Sequence, residues 1–225
     1  MSYIFALPKR DHLGRRIIFY RFGVFNPSVY ANYELVKIHA IVYESLMEDE
    51  ENQINGFVHV ADLTGLGLNF LTLFTPHEAY KIGKNLEKIL PMRHKEIHGL
   101  KVHPSVKFAV EFALAKMSEK MRNRVSLHRK VEDVTSVVDK SLLPAEYGGD
   151  VPMRDMIQAF RLELEAKRDI LLKHDQMTVK LELYPQSVRE GSVRSLKSTL
   201  VELGETAADK SVYGLQGSFR KLEID

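Results

Sequence analysis

The apolar positions of the first hundred residues change period several times. "RRIIFYR" (15–21) is a β-branched and aromatic run that reads as a strand. Asn26-Pro27 follows, offering an N-cap and a first-turn proline, and the spacing of Tyr33, Val36, Ala40, Tyr43 and Met47 predicts an amphipathic helix that stops in the acidic "EDEEN". "GFVHVADL" (56–63) has apolar residues on both strand faces, as in a parallel sheet covered on both sides. "TPHE" (75–78) is a capping box with Pro76 at the first helical position, and Ala79, Ile82, Leu86 and Ile89 carry that helix to Pro91. "LPMRHKEIHGLKV" (90–102) alternates basic and apolar residues and reads as a third strand, with Arg93 and Lys95 on the same side.

His103-Pro104 then opens a helix to about Met117, followed by a short helix "SEKMRNR" (118–124), a brief strand "VSLH", a helix over 131–139 and the turn-rich "LLPAEYGG". Alternating β and α elements predict an α/β fold, a mostly parallel sheet flanked by helices. After Pro152 a long charged helix, roughly 153–173, carries Met156, Phe160, Leu164 and Leu171 on one stripe; "MTVKLELYP" alternates like a strand. The organisation expected is a main domain over 1–150, a helix over 151–175 packed on or following it, and an appendage over 176–225, partly disordered because it is rich in Ser, Gly and charge.

Composition narrows the function classes. With no cysteine among 225 residues, disulfides, thiolate nucleophiles and thiolate-bound zinc are excluded, which fits a reducing compartment, and the cytoplasm is the expected location. No apolar run approaches the roughly 20 residues that cross a bilayer. The net charge of +2 is unevenly spread: residues 90–130 hold ten Lys or Arg against three acids, Glu96, Glu111 and Glu119, a local +7 that leaves −5 elsewhere. A solvated basic face and a polyanion site are both open at this point.

Motifs for catalysis are weak. Gly65-x-Gly67 resembles the start of a dinucleotide loop, but position 70 is Phe, so a turn is the preferred reading. His94, Glu96 and His98 stand in the wrong order for a metalloprotease, and four strand residues separate the histidines by about 13 Å, too far for one zinc. Asp62 ends a strand where catalytic carboxylates are often found, yet no nucleophile or base pairs with it. Neither a catalytic residue nor a metal ligand is assigned. Nucleic-acid binding lacks an exposed aromatic stacking platform, because Phe108 and Phe112 belong to a helix.

That helix, 104–117, is more informative. At 100° per residue Val106, Val110, Leu114 and Met117 cluster on one side, and Phe108 and Phe112 lie nearly opposite, with Lys107 and Glu111 in a narrow stripe between. It is either a core helix or a lid, covering an apolar ligand with one face and meeting a membrane with the other. Arg93 and Lys95 precede it; Lys120 and Arg124, four apart on one helical face, follow it. A basic cleft beside a two-faced lid suits an anionic lipid headgroup.

Residues 8–150, through "PKRDHLGRRIIFYR", "VHVADLTGL", "LPMRHKEIHGL" and "LLPAEYGG", resemble the CRAL-TRIO lipid-binding family, in the branch of α-tocopherol transfer protein, retinaldehyde-binding protein and the clavesins. The resemblance implies a parallel-stranded α/β bowl with an apolar pocket under a mobile gate helix, here 104–117 with Val106, Phe108, Val110, Phe112, Leu114 and Met117. It implies that Arg93, Lys95, Lys120 and Arg124 bind the phosphates of phosphatidylinositol bisphosphate, and that the family's usual N-terminal helical region is lacking. The function so implied is binding and transfer of a small hydrophobic ligand such as a tocopherol or retinoid, by a cytoplasmic, non-enzymatic protein that visits membranes transiently. Beyond that lipophile no cofactor is expected. The alternative is a phosphoinositide-sensing regulatory module that transports nothing.

Overall fold

Two strands, rather than one, precede the first helix. β1 (Ile4–Arg10) pairs antiparallel with β2 (Arg16–Arg21) around a turn in which Asp11 Oδ1 accepts from the N–H groups of Leu13 and Arg15 and Gly14 adopts φ +72°. Pro8 interrupts the strand-like pattern of "IFALPKR". It is tolerated because β1 is an edge strand whose register shifts between Ala6 and Arg10. From β2 onward the sheet is parallel: β3 (Phe57–Asp62), β4 (His94–Leu100) and β5 (Val125–His128) add in the order β1-β2-β3-β4-β5. The mixed α/β fold with a mostly parallel sheet is the predicted one.

The computed structural model describes residues 2–67, 91–115, 117–174, 176–178 and 180–183. The helix predicted over 76–89 lies outside them, as does most of the appendage. Two units are distinguished, Met1–Asp175 and Gln176–Asp225.

Helix α1 (Asn32–Met47) crosses from β2 to β3, and it begins later than Asn26-Pro27 suggested. Asn26 folds a single turn instead: its Oδ1 accepts from Ser28 N and its carbonyl from Val29 and Tyr30. The predicted stripe is also rotated. Tyr33 is 60% exposed and Val36 is exposed too, while the buried face is Leu35, Val42, Tyr43, Ser45 and Leu46. Tyr43 serves both readings; the inward face runs through Leu35, His39, Val42 and Leu46, a helical spacing partly hidden by two polar residues. "EDEEN" is not a stop but a capped turn: Asp49 accepts from Glu51 N to start α2 (Glu50–Asn55), which ends at Gly56 with φ +82°.

Alternation along the strands separates two apolar faces. Tyr20 and His59 meet α1 on one side, where the hydroxyls of Tyr20 and Tyr43 share a hydrogen bond of 2.8 Å and His59 sets its ring against that of Tyr43. Phe5, Phe19, Val58, Val60 and Leu100 occupy the other, where Tyr147 sets its ring 4.8 Å from that of Phe19. "LLPAEYGG" supplies that cover: Leu143 and Tyr147 are buried, and Gly149 sits so close to Leu143 O that a Cβ would lie 1.8 Å from it.

After β4 come α3 (Pro104–Ala115), α4 (Glu119–Arg122), β5 and α5 (Val131–Val134), the last a single turn rather than a helix to 139. The helix predicted over 153–173 is two: α6 (Met153–Ala166) and α7 (Arg168–His174), parted at Lys167. Helix α6 packs along β1, burying Met153, Met156 and Phe160, and a chain of charges ties it down. Arg16 meets Glu163 at 2.6 Å, Glu163 meets Lys167 at 3.1 Å, and Lys167 donates to Ser45 O at 2.8 Å. In the second unit Leu181–Leu183 forms a 3₁₀ turn, not the strand that alternation in "MTVKLELYP" suggested.

Candidate functional site: cations at the start of β4 and β5

Because β4 and β5 are parallel, their first residues lie at the same end of the sheet, and basic side chains gather there. Arg93 immediately precedes β4. Its carbonyl accepts from Phe57 N, and its guanidinium donates to Ile54 O at 3.2 Å. Lys95 is the extra residue of a β-bulge: Phe57 pairs with His94 but Val58 pairs with Glu96. Gly56 makes room for both, since a Cβ there would stand 2.9 Å from Arg93 Cβ and 3.1 Å from Lys95 Cε. Arg124 comes last, donating through Nη1 to the carbonyl of His94, between the other two cations.

Arg124 therefore does not share a helical face with Lys120, as the spacing suggested. Helix α4 ends at Arg122 with Asn123 as its C-cap, and Arg124 belongs to the lead-in of β5, where its own carbonyl accepts from Ile97 N. Lys120 stands exposed on α4, a turn capped by Ser118 and anchored by buried Met121. Among the described residues, none of the four cations forms an ion pair with a carboxylate. The nearest acid in sequence, Glu96, is occupied elsewhere, meeting Arg15 at 2.6 Å and His98 at 3.1 Å. Partial burial opposes its ionisation, but those hydrogen bonds hold its carboxyl below the usual range.

The bulge also settles the two histidines. It puts His94 and His98 on opposite faces of the sheet, and each meets a different histidine. His94 Nδ1 lies 2.8 Å from His59 Nε2, and His98 Nδ1 lies 3.0 Å from His128 Nε2. Among the described residues, no group of three or more His, Cys, Asp or Glu is arranged to hold a metal ion. Asp62 is committed to structure: Oδ1 accepts from Thr64 N and Oγ1, and Oδ2 from the Tyr147 hydroxyl. Gly65-x-Gly67 is a turn, closed by Leu66 N donating to Leu63 O with Gly65 at φ +79°.

Helix α3 presents its aromatic side outward, with Phe108 79% and Phe112 49% exposed. Val110, Leu114 and, past the helix end, Met117 are half-buried, while the side chain of Val106 lies outside what the structure describes. Lys107 and Glu111, 3.6 Å apart, sit exposed on the same helix. Gly56 and the His94 carbonyl are the parts of this site that sequence reasoning missed. The Asn-Gly pair before a strand is the local signal for the first; the second depends on register alone.

An α/β protein with a sheet of this topology, a cationic cluster at the strand starts and a helix that exposes two phenylalanines is the class so defined. The chain belongs to the CRAL/TRIO domain family, whose model matches residues 1–149. It is similar to alpha-tocopherol transfer protein-like of Homo sapiens, 32% identical over 151 residues, which are 66% of this chain and 44% of that protein. It is also similar to clavesin-2 of Homo sapiens, 25% identical over 186 residues, 82% of this chain and 55% of that protein. A comparison with the crystal structure of Sfh5 gives a TM-score of 0.43 at 10% identity, covering 66% of this chain and 56% of that one. The chain thus spans about half the length of the curated relatives it matches. Among the described residues no helix is long and apolar enough to cross a membrane.

Proposed function

We propose that this chain binds a small hydrophobic ligand beneath α3 and carries it between membranes. It docks where Arg93, Lys95, Lys120 and Arg124 meet the phosphates of phosphatidylinositol bisphosphate. The observation that carries the reading is the meeting of Arg93, Lys95 and Arg124 around residue 94, without carboxylate partners among the described residues, in a CRAL/TRIO chain whose α3 exposes Phe108 and Phe112. A ligand hiding about 400 Å² of apolar surface gains roughly 10 kcal/mol before ordering costs, sufficient to keep a lipophile out of water. Four cations at about 1 kcal/mol each near an anionic leaflet add at most roughly 4 kcal/mol, which makes docking reversible. The two phenylalanines would enter the interface while the half-buried face of α3 covers the cargo, so membrane contact favours an open state only if it engages α3 differently there. In this reading the protein is a carrier and makes or breaks no bond.

The test is cosedimentation with vesicles containing phosphatidylinositol bisphosphate. Arg93→Glu with Lys95→Glu is expected to weaken binding at least tenfold and to leave the lipid content of the purified protein unchanged. Equal binding by variant and parent would refute the headgroup assignment, and a chain that binds these vesicles yet moves no lipophile between them is a sensor rather than a carrier.

A further inference from the structure

An open cleft lined by described residues lies at the other end of the sheet. It has a volume of about 980 Å³ and opens over the carboxyl ends of β2, β3 and β4, where Arg21, Asp62 and Lys101 follow one another across the strands. That is the end at which open parallel sheets take ligands, and the volume is at the top of the roughly 300–1,000 Å³ typical of organic-ligand sites. Its floor is Tyr147; one wall is α6.

Four cations line it, Arg21, Lys101, Arg154 and Arg161, against two acids, Asp62 and Glu146. Both acids are already used. Asp62 is satisfied by Thr64 and Tyr147, and Glu146 Oε2 accepts from Met153 N at the start of α6, at 2.9 Å. Two of the cations are used as well: Arg154 pairs with Asp155 at 3.2 Å and Arg161 with Glu165 at 2.8 Å. Among the described residues Arg21 and Lys101 form no ion pair, although Lys101 lies within electrostatic reach of Asp62. Lys101 Nζ stands 5.6 Å from the centroid of Tyr147, and Arg21 is within electrostatic reach of the same residue. Lys101 is also the one non-glycine among the described residues with a positive φ, +56°, a conformation costing a β-carbon-bearing residue energy and found where a side chain must be aimed. Beyond these cations the lining turns apolar: Ile4, Val24, Ile157, Phe160 and Leu164.

We propose that this cleft is a second binding site, for an amphipathic anion: a molecule with one carboxylate or phosphate group held by Arg21 and Lys101 and an apolar body lying along α6. The site does not depend on the carrier reading, since its residues are not those at the strand starts.

Calorimetric titration of the full chain with dodecanoate, dodecyl phosphate and inorganic phosphate tests it. Either amphiphile is expected to bind one per chain and inorganic phosphate at least tenfold more weakly. Arg21→Gln and Lys101→Gln are each expected to weaken the amphiphile tenfold or more while leaving vesicle docking unchanged, and Arg93→Glu with Lys95→Glu is expected to do the reverse. Amphiphile binding that survives both neutralisations within twofold, no binding by the folded parent chain, or phosphate binding as tight as dodecanoate each overturns the proposal. Lys101 is exposed, so should Arg21→Gln fail to fold, Lys101→Gln decides the matter alone.

Discussion

Between the sheet and α1 runs a row of buried polar side chains: Tyr43 to Tyr20 at 2.8 Å, Tyr20 to His59 at 2.7 Å, His59 to His94 at 2.8 Å, with His39 stacked on Tyr20. Each link needs one proton, and neutral side chains supply enough for all three. Burial, then the neighbouring His94, His39 and His98, pushes His59 well below its usual range; burial also lowers His39, against its hydrogen bond with Leu35 O. The unfolded chain takes up protons below about pH 6.5 that the folded chain refuses. Stability is therefore full above that pH and falls as pH drops beneath it, by up to about 1.4 kcal/mol per unit for each of these two histidines. The depressed carboxyls of Asp62 and Glu96 act in the same direction but only below about pH 4.5. Thermal unfolding should lose several degrees between pH 7.5 and 5.5; a midpoint that stays level over that interval would show that the row accepts a proton without cost.

The approach of α2 to β4 depends on one backbone position. Gly56 holds φ +82°, and a Cβ on it would come within 2.5 Å of Arg93 O, the atom that joins β4 to Phe57. Gly56→Ala is expected to cost about 1–3 kcal/mol in urea unfolding, and to weaken phosphoinositide vesicle binding further because Arg93 and Lys95 are displaced together. A variant as stable as the parent would mean that the bulge can shift without loss. This element shows what was legible in the sequence and what was not. Alternation over residues 93–98 marked the strand, and Pro104 and Ser118 marked helix starts, because those signals are local. The bulge at Lys95, the bond from Arg124 to His94 O and the antiparallel β1 are set by pairing with strands tens of residues away, which no local period encodes. The stripe of α1 was misplaced for a related reason: His39 faces inward because Tyr3 and Tyr20, on the first two strands, meet its ring there.

At the scale of the molecule, the sheet separates two chemistries. Cations without a carboxylate partner among the described residues belong to the strand starts; the cleft of Arg21, Lys101 and Tyr147 belongs to the strand ends. The wall of that cleft, α6, follows the last residue matched to the family, yet it is integral to the first unit. Met153, Met156 and Phe160 are buried in the same apolar cluster as Ile4, Phe5 and Phe19. Burying such side chains is worth about 1.5–3 kcal/mol each, so three of them approach the roughly 5–15 kcal/mol by which a whole domain is stable. Losing them would also uncover the free edge of β1, a strand able to pair with another chain. A chain ending at residue 149 is thus expected to lose cooperative unfolding and to aggregate, and one ending at residue 175 to keep a sharp transition within a few degrees of the full chain. Circular dichroism melts of the two, run beside the parent, check this directly. A 149-residue chain that melts as sharply as the 175-residue one would mean that the sheet closes its edge without α6, and the cleft would then have to be built from something other than a fixed wall.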